Sequence, residues 1–109
     1  MDFKEYQDIA RSTAIYPNIG NNIYYPTLGL CGESGEVAEK IKKIMRDDGG
    51  IVSEEKKELL KKELGDSMWY LSNLAAELGL DLNDIAETNI KKLKDRQARN
   101  VLKGSGDNR

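Results

Sequence analysis

The chain has 109 residues, 39% of them hydrophobic and 33% charged, with 17 basic against 19 acidic side chains and a net charge of −2. This describes one small domain with a limited core; it excludes a global cationic field for nucleic acid polymers or anionic membranes, and no apolar run approaches the roughly 20 residues of a membrane span. Histidine is absent and Cys31 is the single cysteine, which removes internal disulfides, thiolate zinc sites, imidazole metal sites and Ser-His or Cys-His nucleophiles together.

The N-terminus, Met-Asp-Phe-Lys-Glu, lacks an apolar signal core, so a cytoplasmic address is expected. A first helix is predicted from about Asp2 to Ala14, with Phe3, Tyr6, Ile9 and Ala10 at helical spacing. Residues 15–26 break the pattern through Pro17, Gly20, Asn21-Asn22 and Pro26, and this loop carries Tyr16, Tyr24 and Tyr25. Those tyrosines read equally well as core plugs or as a wall for a nucleobase.

A second helix is predicted from Thr27, as N-cap, to Arg46, with Leu30, Val37, Ile41, Ile44 and Met45 as its apolar stripe. Asp47-Asp48-Gly49-Gly50 ends it, and Ser53 starts a third helix running to about Leu78. The stripe of that helix is Leu60, Leu64, Met68, Leu71, Leu74, Ala75 and Leu78. Gly79 is its C-cap, and Asp81 or Asn83 opens a fourth helix to about Asn100. The fold class is therefore all-α, most simply a bundle of about four helices. Residues 1–103 read as one domain and residues 104–109 as a turn-rich tail.

Two carboxylate pairs stand out. Glu33-x-x-Glu36 and Glu63-x-x-Asp66 each place two acids on one helical face, at the border of the apolar stripe. If the two helices lie antiparallel, four carboxylates converge, and their repulsion in a partly dry groove asks for a hard divalent cation, Mg²⁺ or Mn²⁺. Gly29, Gly32 and Gly35 line the same part of the second helix, where each costs about 1 kcal/mol against alanine. That pattern suggests close approach of a backbone or a ligand. The competing reading is a solvated acidic face, and either pair alone favours it.

On the fourth helix, Asn89, Lys92 and Arg96 continue the stripe begun by Leu82 and Ile85. Their donors suit phosphate oxygens; the rival reading is long side chains lying along a helix end. Tyr70 follows Asp66 by one turn, so its hydroxyl is in reach of a ligand held there. Trp69 points away from the stripe and marks a second packing surface, expected between subunits, while Cys31 reads as a small packing residue.

The segments Gly29-Leu30-Cys31-Gly32-Glu33-Ser34-Gly35-Glu36-Val37-Ala38-Glu39 and Lys62-Glu63-Leu64-Gly65-Asp66-Ser67-Met68-Trp69-Tyr70-Leu71 resemble the MazG-type all-α nucleotide pyrophosphohydrolases. Glu77-Leu78-Gly79-Leu80-Asp81-Leu82, then Asn89-Ile90-Lys91-Lys92-Leu93 and Arg96, continue the resemblance in order, over roughly residues 25–100. What it implies is Mg²⁺-dependent hydrolysis of (deoxy)nucleoside triphosphates to the monophosphate and pyrophosphate, in a homodimer or homotetramer. It implies a metal set of Glu33, Glu36, Glu63 and Asp66, with Tyr70, Asn89, Lys92 and Arg96 toward the substrate. Some relatives carry a doubled acid, Glu-Glu-x-x-Glu; here Gly32 takes that position and Lys62 precedes Glu63. The general base is thus open, and Glu36 is the expectation taken forward. Two rival functions remain: a non-catalytic helical interaction module, and a phosphoribosyl-ATP pyrophosphatase-like enzyme.

Overall fold

A computed structural model describes all 109 residues as four helices without strands: α1 (Phe3–Ser12), α2 (Tyr24–Asp47), α3 (Glu54–Glu77) and α4 (Leu82–Ala98). The helix starts follow local side-chain chemistry. Asp2 accepts from the Glu5 amide at 2.8 Å, Ser53 from Lys56 at 3.2 Å, and Asp81 from Asn83 at 2.7 Å, each satisfying an amide the helix leaves unpaired. The expected start of α2 at Thr27 is corrected. The helix begins at Tyr24 because Asn22 Oδ1 accepts from the amides of Tyr24 and Tyr25, at 3.2 and 3.0 Å. Pro26 sits in the first turn, where its missing N–H leaves no gap in the ladder. Thr27 lies inside the helix and donates its hydroxyl back to the Ile23 carbonyl at 2.6 Å. No helix is long and apolar enough to cross a membrane.

α2 and α3 form a long antiparallel hairpin closed by Gly49 and Gly50, both at positive φ (63° and 79°). α1 crosses α3 near its C-terminal end, and α4 docks on α1. Gln7 makes that corner: its amide donates to the Leu80 carbonyl and accepts from the Leu82 amide, both at 2.9 Å.

The bundle is open. The radius of gyration is 16.8 Å, where a compact chain of this length has about 13 Å. Only 10 residues are buried, so the predicted stripes are incompletely covered. Ile44 and Ala75 are in the core, whereas Ile41, Met45, Leu64, Met68, Leu71 and Leu78 stay exposed. Between the hairpin and α4 lies an apolar groove of about 480 Å³, bordered by Leu30, Leu64, Met68, Leu71, Ile85 and Asn89.

Candidate metal and phosphate site

The antiparallel hairpin brings the two acid pairs to the same level. One carboxylate oxygen each from Glu33, Glu63 and Asp66 lies within 4.8 Å of the others. The helices close up here because Gly29 has no side chain. A Cβ at that position would stand 2.2 Å from the Tyr70 ring, so the ring occupies the space a larger residue would fill. The close approach expected at the α2 glycines is therefore real at Gly29, and its cause is Tyr70. Gly32 and Gly35 face open space.

Crowding of like charges shows in Glu33. A hydrogen bond shared with Glu63 is the main cause that raises its pKa above the usual carboxylate range, helped by desolvation and by the charges of Asp66, Glu63 and Glu36. Glu36 itself lies outside the three-carboxylate cluster and is exposed. Lys40, one turn further along α2, places its Nζ 3.5 Å from Glu63 Oε1.

Tyr70 links these acids to an aromatic group. Burial raises its hydroxyl pKa first, followed by Tyr25, the Glu33 charge, a hydrogen bond with Tyr25 and the Asp66 charge. Tyr16 and Tyr25 stack at 4.9 Å with an interplanar angle of 10°. Trp69 meets Tyr16 and Tyr70 edge-on, at 6.4 and 5.1 Å. Of the loop tyrosines, Tyr16 is buried as a core plug, while Tyr24 is exposed. Trp69, expected to mark a second packing surface, stays half-buried and donates its indole N–H to Thr13 Oγ1 at 2.8 Å, at the end of α1 in its own chain. Cys31, expected as a packing residue, is exposed.

The α4 donors separate. Asn89 borders the apolar groove. Lys92 and Arg96 turn to the tail, lying 3.4 and 3.6 Å from the Asp107 carboxylate, and the buried Arg96 guanidinium donates to the Asp107 carbonyl at 2.6 Å. None of the three forms an ion pair or hydrogen bond with the four acids. The tail is held by Arg109, which donates to the carbonyls of Val101, Leu102 and Gly106.

Two features escaped the sequence pattern. Tyr6, assigned to the α1 stripe, has its pKa raised by burial and then by the Asp66 charge. The second is a polar network at the open end of the hairpin. Arg11 donates to Tyr16, Asn73 and Glu77, and Glu77 also accepts from the Tyr16 hydroxyl and the Gly20 amide. Its hydrogen bonds join residues 5 to 66 positions apart, four of the five across more than 50 positions, so no local spacing announces it.

The model of the MazG nucleotide pyrophosphohydrolase domain matches residues 26–101, most of the chain and all four acids of the hairpin. The chain belongs to the MazG family. This MazG protein is also 46% identical to the Gene 37 protein of Mycobacterium phage L5, an alignment covering 95% of this chain and 96% of that protein. No solved structure matches it. Within the MazG domain, Glu33, Glu63 and Asp66 converge where α2 and α3 face each other, and Lys92 and Arg96 lie against the tail.

Proposed function

We propose that this MazG protein hydrolyses (deoxy)nucleoside triphosphates to the monophosphate and pyrophosphate with Mg²⁺, or Mn²⁺ in its place, as house-cleaning or pool control. The observation that carries the reading is the convergence of Glu33, Glu63 and Asp66 from two helices of a MazG domain. The donors fit the ion. They are all carboxylate oxygens, which hard divalent cations prefer, and their crowding already leaves Glu33 holding a proton more tightly than an isolated acid would. Glu33, Glu63 and Asp66 would hold the metal, with Glu36 joining from the edge. A bound Mg²⁺ supplies Lewis acidity, drawing charge from phosphate oxygens and making water more acidic.

The chain's own residues do the rest by position and charge. Glu36, exposed beside the cluster, is the acid free to take the proton of the attacking water. Tyr70 offers its hydroxyl at the cluster's edge. Asn89, Lys92 and Arg96 donate to phosphate or sugar; Lys92 and Arg96 hold a carboxylate in the free chain, and a phosphate oxygen presents the same kind of acceptor. Attack falls on the α-phosphorus, and pyrophosphate leaves. Assembly as a homodimer or homotetramer belongs to the proposal, since the exposed Leu64, Met68, Leu71 and Ile85 offer the core that a 109-residue chain lacks by itself.

The test is a panel of NTPs and dNTPs with Mg²⁺ in ¹⁸O-labelled water. Pyrophosphate release with label in the monophosphate is expected. Label in pyrophosphate, or release of orthophosphate and a diphosphate, would overturn the assignment.

A further inference from the structure

A second group of charges continues the α2–α3 seam past the acids. Glu63 meets Glu33 on one side and Lys40 on the other. Lys40 stands four residues beyond Glu36 and seven beyond Glu33, on the same face of α2. It borders a pocket of about 140 Å³ whose other walls are Lys43, Ile44, Lys56 and Leu59. At about 30 Å³ per water, that space takes a small hydrated oxyanion. Three of its five walls are lysines, and no carboxylate lines it.

Two of these three ammonium groups, Lys40 and Lys43, have incomplete partners. Lys56 is held by Asp48. Glu39 serves Lys42 at 3.0 Å and reaches Lys43 only at 3.9 Å. Lys40 depends on Glu63, an acid assigned above to the metal. Once a cation takes the charge of Glu63, Lys40 keeps its donors and loses its acceptor, at the boundary between the acids and the lysine pocket.

We propose that this pocket is a polyphosphate subsite, in which Lys40, supported by Lys43 and Lys56, binds the pyrophosphate portion of the substrate and the pyrophosphate product. The inference rests on the hydrolase reading and deepens it. A triphosphate anchored at the acids runs its outer phosphates along the seam toward these lysines. Lysine suits them as a compact cation with three rotatable donors.

The experiment is calorimetric titration of inorganic pyrophosphate into the full chain in Mg²⁺, with melting temperatures measured in parallel. Lys40→Met is expected to weaken binding roughly tenfold, the worth of one charge-assisted hydrogen bond. Lys40→Arg should retain most of the affinity, and Lys43→Met should weaken it by a smaller factor. Lys57→Met, which removes an exposed lysine paired with Glu54, should leave binding unchanged. Wild-type affinity in Lys40→Met, with or without a lower melting temperature, overturns the subsite and leaves Lys40 a structural partner of Glu63. Equal loss in Lys40→Met and Lys57→Met overturns it in favour of unspecific charge attraction. Lys40-dependent pyrophosphate binding without nucleotide hydrolysis would sink the proposed activity and keep the subsite; hydrolysis with Lys40-independent binding would do the reverse.

Discussion

Where α1 crosses α3, Glu77 has no exposed side-chain surface and is met by Arg11, Tyr16 and the Gly20 amide. About three to four turns back along α3, Glu63 and Asp66 crowd against Glu33 of α2, and Lys40 is the one lysine paired with them, through Glu63. The two regions hold carboxylates of the same kind and move them in opposite directions. Burial pushes Glu77 upward, but the bonds from Gly20, Tyr16 and Arg11 outweigh it, and its pKa falls below the ordinary range. Glu33 goes above that range because its nearest neighbour is another acid. A charge met by fixed donors holds a fold together. A charge met by like charges is left for something that is not part of the chain, and the contrast separates the structural end of the hairpin from its candidate site.

The largest expected effect breaks the second region. Glu63→Gln removes one of the three converging carboxylates and the partner of Lys40, so turnover should fall by at least about 10²-fold, the scale of losing one preorganised electrostatic group. Mg²⁺ should then no longer raise the melting temperature, while the metal-free variant melts at or above the wild type because repulsion is relieved. Normal turnover in this variant would dissolve the distinction between the two regions.

Glu77→Gln breaks the first region instead. It leaves the half-buried Arg11 without its anion and should cost about 3 kcal/mol in chemical denaturation. The pH dependence has a definite sign. Because the folded pKa of Glu77 lies below its unfolded value of about 4.3, its contribution is present above that pH and is lost as pH falls through the folded pKa. The acid limb of a stability-versus-pH curve should therefore flatten in Glu77→Gln. An unchanged limb would place the acid sensitivity elsewhere.

Gly29→Ala tests how the hairpin is closed between the two regions. The added methyl meets the Tyr70 ring, and overpacking of this kind costs about 1–3 kcal/mol, against the roughly 1 kcal/mol that alanine gains in a helix. The net loss should disappear in the double variant with Tyr70→Ala, measured as a double-mutant cycle. Gly32→Ala, facing open space, should not share it.

The smallest effect concerns the α4 cations. The Asp107 carboxylate is exposed, so water and salt screen its pairing with Lys92 and Arg96. Asp107→Asn should lower KM for a nucleotide by about twofold to fivefold if those cations leave the tail for the substrate, with little change in kcat. An unchanged KM would leave Lys92 and Arg96 as anchors of the tail.

The sequence by itself determined what depends on near neighbours along the chain. Four helices, the start of the third at Ser53, and the pairing of acids three residues apart all follow from helical geometry within a turn or two. The family motif is legible for the same reason, since it is made of such spacings. Capping by Asn22 rather than Thr27 shows the limit of that legibility, because two polar side chains competed for one helix start and the backbone path of the loop chose between them. Only the tertiary structure decided that Trp69 lies against Thr13, that Gly29 makes room for Tyr70, that Glu77 is buried among donors and that Lys92 and Arg96 face the tail. It also decided that α4 stands off the hairpin and leaves its apolar stripe in a groove. Each of these is set by where one helix meets another, and helical periodicity states which face is apolar without stating what will cover it.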